Sequence, residues 1–199
     1  MKKLALFILA VLIPLALSAQ DEREYHTVFE GKPLRITGMG GPFMQFTSVA
    51  GEFGHMMGGG GAVIVNDFFF GGYGLGLTNQ IIDYAGGDLS KQLYLGHGGF
   101  WTGYIFRGDR AVHATVSTLI GFGEFGLTDV SVYLPVLNPD RFFILAPTVE
   151  LEINLARYFR IGAGASYNLY SGIGDPRHSY NSSDLSSPAA FLSFKFGWF

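Results

Sequence analysis

The stretch Phe143-Ile144-Leu145-Ala146-Pro147-Thr148-Val149-Glu150-Leu151-Glu152-Ile153-Asn154 alternates with a period of two. Phe143, Leu145, Pro147, Val149, Leu151 and Ile153 share one face, while Thr148, Glu150, Glu152 and Asn154 share the other. Successive side chains of a strand point to opposite sides, so the pattern predicts a strand with one greasy and one polar face. Downstream, Phe159, Ile161, Ala163, Ala165, Tyr167 and Leu169 oppose Arg160, Gly162, Gly164, Ser166 and Asn168. Upstream, Val112, Ala114, Val116, Thr118 and Ile120 oppose His113, Thr115 and Ser117. At the C-terminus, Leu192, Phe194, Phe196 and Trp198 oppose Ser193, Lys195 and Gly197. Nearer the N-terminus, Phe69, Tyr73, Leu75 and Leu77 oppose Gly72, Gly74, Gly76 and Thr78.

Alternation alone also fits a soluble β-sandwich. The polar face is more informative. It is built of glycine, serine and threonine with a few charges, whereas a solvated face carries many lysines and glutamates. Small residues suit a crowded concave interior. A large apolar outside with a small polar inside is the pattern of a membrane-spanning barrel, and it sets the large residues outward.

Uncharged stretches extend this reading along the chain: 36–51, 53–66, 68–82, 92–106, 111–123, 142–149, 161–174 and 185–194. Each is long enough for much of the ~9–11 residues that a tilted strand needs to cross a bilayer. No mature run of ~18 apolar residues exists to form a membrane helix. Glycine interrupts the apolar stretches, as in Met57-Gly58-Gly59-Gly60-Gly61-Ala62, and costs a helix about 1 kcal/mol per residue. The facing of 36–51, 53–66 and 92–106 stays open at this level. The expected fold is therefore all-β: a closed antiparallel up-and-down transmembrane barrel of eight strands. The stretch 130–139, with Pro135 and Pro139, reads as loop or as the returning arm of a long hairpin. A ten-stranded barrel is the alternative.

Composition excludes other classes. With 16% aromatic and only 15% charged residues the chain is not disordered. It has no cysteine, which removes disulfide scaffolds, zinc-thiolate sites and iron–sulfur clusters. A net charge of −3 argues against a nucleic-acid footprint. Residues 1–19 have the form of a secretory signal: Lys2 and Lys3, an apolar run from Leu4 to Leu17, then Leu17-Ser18-Ala19 before Gln20. Residues 20–35 read as a periplasmic N-terminal tail, and 36–199 as the barrel. Short joins (Asn66-Asp67, Arg107 to Arg110, Leu155 to Arg157) alternate with long ones near 79–91, 121–140 and 171–188. An even strand count then places both termini on the short-turn, periplasmic side.

The leader, the eight segments and the aromatic terminal strand Phe191-Leu192-Ser193-Phe194-Lys195-Phe196-Gly197-Trp198-Phe199 resemble small Gram-negative outer-membrane β-barrels, the kin of outer membrane proteins A and X. The resemblance covers about 36–199 and is architectural. It implies an outer-membrane location, contact with outer-membrane lipid and lipopolysaccharide, and a C-terminal signal (Phe194, Phe196, Trp198, Phe199) read by the barrel-assembly machinery. The alternation ends on Trp198, one residue out of phase with the terminal Phe199.

Within such a barrel the facing points His113, Glu150, Glu152, Arg160 and Lys195 inward. Eight strands enclose an interior just wide enough for side chains, so these charges predict an ionic plug, with Glu152 opposite Arg160. Phe69, Phe143, Phe159 and Trp198 are candidates for the aromatic girdles at the two interfaces, with Phe142 beside Phe143. Gly121-Phe122-Gly123-Glu124-Phe125-Gly126 matches G-x-G-x-x-G, but β-formers follow it where a dinucleotide site needs a helix. The five histidines form no close ligand pair, and no nucleophile–base pattern is evident. Loop carboxylates Asp83, Asp88, Glu124, Asp129, Asp175 and Asp184 read as a solvated acidic rim. The expectation is a structural or surface-interaction protein with an unidentified surface ligand and no catalytic residues, metal or cofactor. The rival is a lipid-modifying outer-membrane enzyme, with His97 as the candidate base, or a narrow small-molecule conduit.

Overall fold

Glycine, aromatic and β-branched residues fill the uncharged stretches, and each stretch becomes a strand. A computed structural model describes residues 33–83, 91–129, 139–174 and 179–199. Its strands are β1 (Ile36–Val49), β2 (Glu52–Val65), β3 (Phe68–Leu77), β4 (Lys91–Phe106), β5 (Val112–Asp129), β6 (Asp140–Ala156), β7 (Phe159–Ser171) and β8 (Ser187–Gly197). One short helix, α1 (Ser182–Leu185), precedes β8. The chain divides into Met1–Leu34 and Arg35–Phe199, and the strands belong to the second unit. The expected leader and most of the tail lie outside the described residues.

Each strand pairs antiparallel with its sequence neighbour, and β8 returns to β1, so the sheet closes. Closure leaves no free edge, which satisfies the backbone groups without water. The ring closes at eight, with β5 paired directly to β6, and this rules out ten strands. The stretch 130–138 lies outside the described residues.

Tight turns gather at one end: Asn66-Asp67, residues 107–111, and Arg157-Tyr158. The start of β1 and the end of β8 lie at this short-turn end. β4, β5 and β6 are 16, 18 and 17 residues long, well beyond the ~9–11 of a minimal span. Their short-turn ends are tied, so the excess projects at the opposite, long-loop end.

Facing follows parity along every strand. On the short-turn halves of β5 to β8 the large apolar residues turn outward and the polar ones inward, as the alternation predicts, whereas toward the long-loop end Leu119, Phe125, Ile144, Tyr170 and Phe191 are buried inside. On β3 the expectation is reversed. Phe69, Tyr73 and Leu75 are buried in the lumen, and Gly72 and Gly74 face outward. Phe142, beside the outward Phe143, is likewise inside. The reason is space. Inward glycines leave gaps that aromatic rings fill: a Cβ on Gly60 would lie 2.9 Å from Phe43, and one on Gly103 would lie 2.7 Å from Phe69. The lumen is therefore two-sided. β1 to β4 line it with Met39, Phe43, Met56, Phe69, Leu95 and Trp101, while β5 to β8 supply most of the ionic groups.

The β1–β2 join at the long-loop end is only Ala50-Gly51. Both residues are left-handed, with φ of 54° and 85°, as a two-residue hairpin requires. Alanine in that region is strained by roughly 1–2 kcal/mol. Ala50→Gly should stabilise the refolded barrel by about 1 kcal/mol in urea unfolding. A destabilised Ala50→Gly protein would show that this turn is misplaced.

Candidate functional site: the ionic lumen

Lys195, on β8, is the centre of the polar half. Its ammonium is fully buried and donates to Glu150 Oε2 at 2.9 Å and to Glu152 Oε1 at 2.7 Å. Glu150 and Glu152 are two residues apart on β6, so parity puts both carboxylates on one wall. Ser193 Oγ donates to Glu150 Oε1 at 2.6 Å. His113, level with Glu152 in the β5–β6 register, places Nε2 3.2 Å from Glu152 Oε2. Its Nδ1 lies 3.3 Å from the Arg110 carbonyl. Arg160 Nη1 lies 3.8 Å from Glu152 Oε2. All five residues expected in the lumen are thus brought together: His113, Glu150, Glu152, Arg160 and Lys195.

One geometric detail differs. Glu152 pairs with Gly162, not with Arg160, which sits two pairs lower opposite Asn154. The cause is the turn. β6 runs on to Ala156 with a register shift between Asn154 and Ala156, so the connection is shorter than three residues. Gly162 matters for the network: a Cβ there would lie 2.6 Å from both Glu150 Oε1 and Ser193 Oγ. Two carboxylates face two permanent cations. This balance offsets the desolvation cost that an unpaired charge would leave exposed to a low-dielectric interior.

Above this layer the plug continues through weaker polar contacts and aromatic packing. Gln45 Nε2 donates to Ser166 Oγ at 3.3 Å, and Asn168 Nδ2 donates to Gln45 Oε1 at 3.4 Å. Trp101 packs edge-on against Phe43 at 4.7 Å and Phe69 at 4.8 Å between ring centroids. The Lys195 ammonium lies 5.2 Å from the Trp101 ring centroid, joining the ionic and aromatic halves. Further along, His97 Nδ1 lies 3.1 Å from Tyr73 Oη. Among the described residues that phenol, not a serine, is the partner of His97, so the geometry supplies no nucleophile beside it.

Outside, rings cluster at the short-turn end. Tyr158 meets Trp198 at 4.5 Å, Phe159 meets Phe196 at 4.7 Å, and Phe68 meets Tyr104 at 4.7 Å. Phe143 pairs instead with Phe122 at 5.5 Å, on the outer wall toward the long-loop end. Of the girdle candidates, Phe159, Trp198 and Phe143 face outward, and Phe69, 1% exposed, does not; Phe68 and Phe70 hold the outward positions beside it. Phe194, Phe196 and Trp198 share the outer face. Phe199 falls on the inner phase, with its ring centroid 3.7 Å from the Arg160 guanidinium carbon. Sequence reasoning missed this contact, although the phase break at Trp198 was its visible sign.

The remaining motifs resolve simply. Residues 121–126 lie inside β5, so no helix N-terminus follows them. Asp83 is buried and accepts from Tyr180 Oη at 2.8 Å, so it is no part of a solvated rim. Asp184 closes the capping box of α1 with Asn181. Glu124 lies 3.9 Å from Arg141 on the outer surface. Asp88 and Asp175 lie outside the described residues. No group of three or more His, Cys, Asp or Glu with metal-site geometry occurs among the described residues.

Lys195→Met should cost about 3–5 kcal/mol in urea unfolding, because it strands two buried carboxylates. Replacing Glu150 and Glu152 with Gln in the same protein should recover much of that loss, since a neutral set needs no counter-ion. Gly162→Ala should cost roughly 1–3 kcal/mol by overpacking the carboxylates. A Lys195→Met barrel as stable as wild type would show that the ammonium is not the centre of the network.

No family model matches the chain, and no curated protein sequence matches it. Solved structures do. Neisserial surface protein A (NspA) matches at 12% identity with a TM-score of 0.57, covering 83% of this chain and 99% of that one. The N-terminal β-barrel domain of Pseudomonas aeruginosa OprF matches at 11% identity and a TM-score of 0.52, covering 83% and 100%. Ail, the attachment invasion locus protein of Yersinia pestis, in complex with the heparin analogue sucrose octasulfate, matches at 13% and 0.51, covering 83% and 99%. At such identities the likeness concerns the fold, and the closed ring of eight antiparallel strands agrees with it: this chain has the fold of the small eight-stranded outer-membrane β-barrels.

Proposed function

We propose that the chain is an integral outer-membrane protein whose barrel is plugged and whose long-loop end meets partners at the cell surface. One observation carries this reading: the hydrophobic pattern is inside out. Leu151 is 56% exposed and Phe100 75%, while Glu150, Glu152 and Lys195 are buried. In water such a wall would be an aggregation surface; in a bilayer acyl chains solvate it. A soluble sandwich would enclose Leu151 and display Glu152.

The short-turn end, with both barrel termini, then faces the periplasm. Phe159 and Trp198, with Tyr158 and Phe196, anchor that interface, and Phe143 with Phe122 lies toward the outer one. Phe194, Phe196, Trp198 and Phe199 form the strand end recognised by the barrel-assembly machinery. The lumen is filled by the ionic layer and by Trp101, Phe43 and Phe69, which supports a closed barrel rather than a conduit. Activity as a lipid-modifying enzyme has no support from a nucleophile beside His97.

The loop end is the surface left for recognition. Ail is described with a heparin analogue bound, and an external ligand is the corresponding role here. The chemistry differs, however. The loop regions carry Asp88, Glu124, Asp129, Asp140 and Asp175 against Lys91, Arg141 and Arg177. Such a rim repels a polysulfate and suits lipopolysaccharide phosphates bridged by divalent cations, or a basic partner.

In planar bilayers the purified protein should give no stable large conductance, whereas Glu152→Ala, which removes part of the plug, should raise the frequency of openings. Stable large channels in wild type would contradict a plugged lumen. Val149→Arg, on the outward face, should cost roughly 2–4 kcal/mol of stability in lipid vesicles if it lies near the midplane. A neutral Val149→Arg would contradict the membrane-embedded wall.

A further inference from the structure

The short-turn mouth of the barrel opens into a basin of about 600 Å3. That volume is in the range of small-molecule sites. Its polar lining includes Arg35, Arg157, Arg160, Asn66, Asp67 and Asp109, and Ile64, Ile105 and Phe199 give it an apolar part. Three guanidiniums and two carboxylates would ordinarily pair with one another. Here they do not: among the described residues neither Asp67 nor Asp109 comes within ion-pair distance of any of the three.

Arg160 is the least satisfied of the lumen charges. It is 4% exposed. A guanidinium carries five N–H donors, yet the hydrogen bond Arg160 makes is from Nη2 to the Gly108 carbonyl, at 3.1 Å. Its approach to Glu152, at 3.8 Å, is longer than a hydrogen bond, and Glu152 is already held by Lys195 and His113. Arg160 Nε is buried with no hydrogen-bond partner. Asn66 repeats the pattern. Its Oδ1 accepts from the Arg35 backbone N–H at 2.9 Å, and its Nδ2 is buried without an acceptor.

The mouth is thus rich in donors that the chain's own carboxylates do not use. It is also partly preorganised. Phe199 stacks on the Arg160 guanidinium, Gly108 fixes one end of it, and Asn66, in the left-handed region at φ 58°, pins the backbone of Arg35. We propose that this basin binds a single oxyanion, a carboxylate or a phosphate, on a small molecule or chain end that enters from the short-turn side. Arg160 supplies the fixed fork and Arg35 the closing one, since guanidinium matches both oxyanions in a bidentate fashion. The apolar part, with Phe199, takes a short hydrocarbon portion beside the charged group. The site does not depend on the loop-end role, and it lies at the opposite end of the barrel.

The test is a titration of the full-length barrel, folded in zwitterionic detergent and 15N-labelled at arginine, with inorganic phosphate and separately with N-acetylalanine at constant ionic strength. The Arg160 Nε–H resonance should shift saturably with at least one of the two probes. Arg35→Gln, which lies before β1 and outside the plug, should weaken that binding by roughly tenfold, the worth of one charge-assisted hydrogen bond. Unchanged heat-modifiable gel migration would show that the variant is folded. A linear, unsaturated response to both probes, or equal affinity in folded Arg35→Gln, overturns the proposal.

Discussion

A lysine ammonium held between two glutamates, with no water-exposed surface, sets the terms for everything around it. Lys195 meets Glu150 and Glu152 within 2.9 Å inside a ring of eight strands. Removing such charges from water is costly, and only a closely packed set of partners offsets it. β6 must present two acidic residues to one wall, β7 must leave room at Gly162, and β8 must bring Lys195 to their level. The barrel's closure between β8 and β1 then becomes more than backbone bookkeeping. It encloses the ionic layer, so that the outward face of the wall can be largely apolar.

The other half of the lumen solves a different problem. β1 to β4 carry few charges and many glycines, and their interior is filled by rings. Trp101 packs against Phe43 and Phe69, and it also faces the Lys195 ammonium. One indole therefore couples the two halves. The plug is ionic on one wall and aromatic on the other. Arg160 belongs both to the ionic layer and to the lining of the short-turn mouth, where it lies with Arg35 and Asn66.

How far the sequence could be read depended on glycine. On the short-turn halves of β5 to β8 the small or charged residues are inside and the large apolar ones outside, so alternation alone assigns Leu151, Ile161 and Phe194. Charge spacing locates all eight strands, because charged residues concentrate at strand ends and loops. On β3 the same rule failed. Gly72 and Gly74 are as small as an interior face requires, but they face outward while Phe69, Tyr73 and Leu75 fill the lumen. Size alone does not tell the greasy exterior from an aromatic interior. Trp101 and Phe142 are buried for the same reason. The partner of Glu152 lies two residues beyond Arg160, because a two-residue turn and the register shift between Asn154 and Ala156 replace the three-residue join. The contact of Phe199 with Arg160 depends on the chain leaving β8 out of phase, which no strand pattern encodes.

The central claim is that the convex wall is bathed in hydrocarbon while the charges are enclosed. The chain has no cysteine, so single thiols can be placed at Val116, Val149, Leu151 and Leu169 and spin-labelled without background. Power-saturation measurements in reconstituted bilayers then compare access of molecular oxygen and of a water-soluble nickel chelate. The account predicts high oxygen and low nickel access at all four positions. Free access of the nickel chelate there would mean that this wall faces water, and the barrel would have to be read the other way out.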